Sequence, residues 1–68
     1  MLIAISKDKL IVKKRSMIKI EQDKLFNHLR DHHIKWIEYP DTIVFTGEPK
    51  QLYSTLYVLS LAFDIELM

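Results

Sequence analysis

Cysteine is absent from the 68 residues, so neither a disulfide framework nor a thiolate metal site can brace the chain. Gly47 is the only glycine, which leaves no glycine-rich loop to cradle a phosphate. There is no Gly-x-Ser-x-Gly elbow, and the serines have no histidine close to them in sequence, so nucleophilic catalysis lacks its groups. A non-enzymatic protein is expected, with no cofactor and no small-molecule substrate. Long apolar runs are missing too. The stretch Leu52 to Phe63 is interrupted by Ser54, Thr55 and Ser60 and falls short of the ~18 residues that span a bilayer. Met1 to Ile5 is too short for a signal segment and is followed at once by Lys7, Asp8 and Lys9. No membrane association is expected, and the missing cysteine agrees with a cytoplasmic setting.

What is present is a chain of 8.1 kDa in which 49% of residues are apolar and 28% charged, too apolar for disorder and too charged for a membrane protein. Its length fits one domain over residues 1–68. Cores of this size rarely supply more than about 3–5 kcal/mol, so a second chain is the expected supplement. Charge is unevenly placed. Residues 1–20 carry six cations against Asp8, whereas residues 21–68 carry eight carboxylates against four cations. Such a division suits a nucleic-acid surface or two halves that attract each other.

Two apolar runs, Met1 to Ile5 and Leu10 to Val12, flank the polar Ser6-Lys7-Asp8-Lys9 and predict a β-hairpin. A two-residue period continues from Lys9 to Ile20: Leu10, Val12, Ile18 and Ile20 fall on even positions, and Lys9, Lys13, Arg15 and Lys19 on odd ones. This predicts a long or bent strand with a basic face, interrupted by a bulge or short turn where Lys14 and Ser16 break the apolar side. Glu21 to His33 carries Leu25, Phe26 and Leu29 at helical spacing. Ile34 to Tyr39 and Thr42 to Thr46, joined by Pro40-Asp41, predict a second hairpin. Gly47 breaks the chain and Glu48-Pro49 opens a second helix with a core stripe of Leu52, Leu56, Leu59 and Phe63. Ile65, Leu67 and Met68 leave room for a short final strand. Glu21, Leu25, Phe26 and Leu29 are echoed 27 residues later by Glu48, Leu52, Tyr53 and Leu56, which suggests a repeated strand-strand-helix unit.

The predicted fold is therefore α+β, a small antiparallel sheet with two helices packed on one face in the order β-β-α-β-β-α. If Met17 to Ile20 is taken as the first strand and Ile65 to Leu67 as the last, the order becomes β-α-β-β-α-β, which resembles the ferredoxin-like arrangement. That arrangement hosts many unrelated functions and implies none here.

Three features carry functional expectations. Tyr57, Val58 and Leu61, with Trp36 and Ile37, exceed what one core can absorb and are expected to form a protein interface. The leading expectation is thus a small protein-binding module, a regulator or inhibitor that covers a partner's surface, acting as a homodimer. The alternative is binding of RNA or single-stranded DNA by the basic strand face, Lys9, Lys13, Arg15 and Lys19, with Trp36 or Tyr39 available for stacking. The third feature is the histidine cluster. His28 and His32 stand four apart near Glu21, but a structural zinc site closes with four ligands and no metal is expected. His32 and His33 are expected instead to pack at the helix end and donate to its last carbonyls.

Overall fold

The computed structural model describes all 68 residues. The first hairpin joins β1 (Leu2–Ile5) to β2 (Lys9–Lys13), a 3-10 turn follows over Lys14–Ser16, and α1 spans Lys19–Asp31. A second hairpin joins β3 (Ile37–Glu38) to β4 (Thr42–Thr46), α2 spans Pro49–Ser60, and β5 (Glu66–Leu67) ends the chain. The sheet runs β3-β4-β2-β1-β5, with β1 and β5 parallel and the other neighbours antiparallel. The short final strand thus lies on the outer side of β1.

Register decides which face is covered. Ile3 sits opposite Val12, Val12 opposite Ile43, and Leu10 opposite Phe45, so these five side chains share one face. All five are buried in a single cluster with Leu25 and Leu29 of α1 and Leu52 and Leu59 of α2, so both helices lie on that face. Met17 completes the cluster, and Phe26, Ile34, Trp36, Leu56, Phe63 and Ile65 pack around it.

The expected break at Lys14 to Ser16 is the 3-10 turn, but no strand resumes after it, so the predicted strand from Lys9 to Ile20 ends at Lys13. Thr42, opposite Lys13, begins β4; the Lys14 N–H still donates to Asp41 O at 3.0 Å in the preceding turn, and a strand continued further would leave its N–H and C=O groups without partners. Ser16 Oγ donates to Lys13 O at 2.6 Å and accepts from Leu2 N–H at 3.1 Å, while the Gln22 side chain donates to the Lys14 and Met17 carbonyls. Glu21 Oε1 accepts from Ile18 N–H at 3.1 Å, a carboxylate at the third helical position that starts α1 two residues ahead of Glu21. Ile18 and Ile20, predicted to be buried, are consequently 64% and 75% exposed. The ferredoxin-like order falls with that strand, since both β1 and β2 precede α1 and residues 17–20 form no strand.

The unit β-β-α does occur twice, though not at a spacing of 27. β2 and β4 are five residues each, start 33 apart and pair antiparallel with Ile11 opposite Val44 at the centre. The helix N-caps, Ile18 and Glu48, are 30 apart, the difference being the three residues of the 3-10 turn. Phe26 packs on the core whereas Tyr53, its counterpart in the sequence echo, is an exposed residue.

Candidate functional site

α1 and α2 differ in what they show to water. α1 carries Lys19, Glu21, Asp23, Lys24, Arg30 and Asp31, with Lys19 Nζ 3.3 Å from Asp23. α2 carries Lys50 alone, and no charged residue occurs from Gln51 to Phe63. Along its outer side Tyr53, Tyr57 and Leu61 follow one another at helical spacing and are 71%, 65% and 56% exposed. A shallow groove between α2 and β5 is lined by Tyr53, Leu56, Tyr57, Ile65 and Leu67. A second depression, with Ile5, Leu52, Tyr53 and Leu56 in its wall, continues it toward the first turn. Leu67, Met68 and Ile5 are also more than half exposed. Together these form one aromatic-rich apolar strip along the α2 side of the molecule, with Lys7 and Glu66 the charged residues beside it.

The predicted interface residues divide between two ends of the sheet. Tyr57 and Leu61 lie on the strip. Val58 is half-buried, and its carbonyl accepts from His28 Nε2 at 2.7 Å, a contact that places the imidazole proton on that nitrogen. Trp36 turns inward instead: its ring stacks on Phe26 at 5.4 Å between centroids, and the Arg30 guanidinium lies 5.8 Å above it. Ile37 sits in β3, at the sheet edge opposite β5 and on the face away from the helices. Tyr53, Leu67, Met68 and Ile5 were not singled out from sequence. The repeat of Tyr53, Tyr57 and Leu61 every four residues, inside a charge-free stretch, was the signal for Tyr53; Ile5, Leu67 and Met68 had none in the sequence.

The basic residues likewise separate. Lys9 and Lys13 lie on the uncovered sheet face, Arg15 in the 3-10 turn, and Lys19 on α1 beside Asp23. Lys13, Lys14 and Arg15 line a cleft of about 690 Å³ with Gln22, Asp41 and Thr42. Lys14 Nζ is held there by Glu38 at 2.6 Å.

Of the histidines, it is His28 that packs, edge-on to His32 at 4.6 Å and to Phe63 at 6.2 Å. His32 and His33 are exposed. His33 adopts φ 57° and ends α1, with its N–H donating to Arg30 O and the Ile34 N–H to Leu29 O. No group of three or more metal-binding side chains is assembled anywhere in the chain. No helix is long and apolar enough to cross a membrane.

No family model matches the chain, and neither a curated protein nor a solved structure matches it. The functional reading therefore rests on these surfaces.

Proposed function

We propose that this protein is a non-enzymatic protein-interaction module, a small regulator or inhibitor that works by covering a partner's surface and that pairs with a second copy of itself along α2 and β5. The observation that carries the reading is the charge-free strip of Tyr53, Tyr57, Leu61 and Leu67. Aromatic side chains present roughly 150–250 Å² each. Scaled by their exposures, the strip residues with Ile5 and Met68 offer on the order of 700–800 Å² per copy, close to the ~800 Å² per partner of a standard interface. The accessible surface of 4853 Å² also exceeds the ~4500 Å² expected for a folded monomer of this mass.

A two-fold axis near Tyr57 sets two α2 helices against each other, so that Tyr53 of one copy meets Leu61 of the other. From Gln51 to Phe63 there is no charged side chain to desolvate in that contact, so apolar burial along α2 is favourable, with Lys7 and Glu66 at its margin. The phenol oxygens remain at the rim, where water or the opposite copy satisfies them.

Sedimentation equilibrium over a range of concentrations tests the reading. The expected outcome is a species of twice 8.1 kDa that reverts to 8.1 kDa in Tyr57→Asp and Leu61→Asp, with the far-ultraviolet circular dichroism unchanged. A mass of 8.1 kDa at millimolar concentration, or variants that associate as well as the parent, would contradict it.

A further inference from the structure

The face of the sheet away from the helices has its own character. Ile37, Val44, Ile11 and Ala4 stand opposite one another in turn and form an apolar row across four strands. On either side of Ile11 in β2 are Lys9 and Lys13, paired with Thr46 and Thr42. One step beyond Thr42 is Tyr39, whose N–H donates to Thr42 O at 2.8 Å and whose side chain is 50% exposed. Arg15 extends the basic line from Lys13 into the cleft beside the Pro40-Asp41 turn. Neither Lys9, Lys13 nor Arg15 makes a salt bridge, in contrast to Lys14, which Glu38 neutralises. Asp41 is the one carboxylate in the cleft wall.

From this arrangement we infer that the uncovered sheet face binds single-stranded nucleic acid, its phosphates following Lys9, Lys13 and Arg15 and one base stacking on Tyr39. The sheet face that carries no helix admits an unpaired strand, and the exposed Ile37 and half-buried Ile11 offer apolar surface to base faces on either side of Val44, which is itself buried. Lys9 and Lys13 are four residues apart in one strand, roughly 13 Å, so a flexible single strand can reach both. The three unpaired cations complement a phosphate chain, and the single aromatic sets the expectation of weak sequence preference. The strip on α2 lies on the opposite side of the molecule, so this inference stands whether or not the protein dimerises.

Fluorescence anisotropy of a labelled short oligothymidylate with the full chain is the test. Three phosphate contacts give a slope near two in log affinity against log salt, so raising salt from about 50 to 200 mM should weaken binding about 20-fold. Combining Lys13→Gln with Arg15→Gln should cut that slope to about 0.7. Tyr39→Ala should weaken binding about 5- to 150-fold and leave the slope unchanged. All three side chains lie outside the buried core, and circular dichroism checks that each variant keeps its fold. Absence of binding at low salt would overturn the inference. So would affinity that ignores these substitutions, equal affinity for duplex of the same length, or equal displacement by polyglutamate, which would mark the face as a site for an acidic protein partner.

Discussion

Replacing Gly47 by alanine should remove most of the stability of this chain. Gly47 has φ +150°, a conformation essentially restricted to glycine and costing of order 1–3 kcal/mol for any other residue. An added Cβ would stand 2.5 Å from Gln51 Oε1, which itself accepts from Glu48 N–H at 2.9 Å to start α2. The amide must swing away, and losing such a cap costs about 0.5–2 kcal/mol. Gly47→Ala therefore costs about 1.5–5 kcal/mol against the roughly 3–5 kcal/mol that a core of this size supplies. Urea unfolding followed by circular dichroism measures it, with Gln51→Ala, expected to cost about 1 kcal/mol, isolating the cap. A Gly47→Ala variant within about 0.5 kcal/mol of the parent, or no weaker than Gln51→Ala, would refute the reasoning.

His33→Gly should act in the opposite direction, because the left-handed cap at φ 57° costs an L-residue about 1–2 kcal/mol and glycine's extra unfolded freedom offsets only part. A rise of a few degrees in Tm is expected. His28→Phe keeps the ring but removes the donor to Val58 O, and should cost about 1 kcal/mol, or about 4–8 °C in Tm. A chelator should leave Tm unchanged, since His28 Nε2 is occupied by a carbonyl and Glu21 by the Ile18 amide; a drop of more than a few degrees would reassign the cluster.

The α+β class, both helical stripes and the Pro40-Asp41 turn were legible because each rests on local pattern: Leu25 and Leu29, Leu52 and Leu59 keep helical spacing and are buried. Local pattern failed where the answer lay in the neighbouring strand. The alternation through Ile18 and Ile20 is genuine in the sequence, yet no strand is available to pair beyond Lys13. Trp36 looked surplus because nothing in the sequence announces that Phe26 and Arg30 enclose it. Tyr57 and Leu61 were legible as surplus, but joining them to Leu67 required the parallel pairing of β5 with β1. Two interface residues, Trp36 and Ile37, were thereby separated from the other three by the width of the sheet.

Amide chemical shifts followed on dilution test most directly the claim that a second copy covers α2 and β5. Concentration-dependent shifts are expected at Tyr53, Tyr57, Leu61 and Leu67, with Ile11 and Val44 on the sheet face away from the helices unmoved. Shifts centred on Ile11 and Val44, or none at any residue across the micromolar to millimolar range, would contradict it.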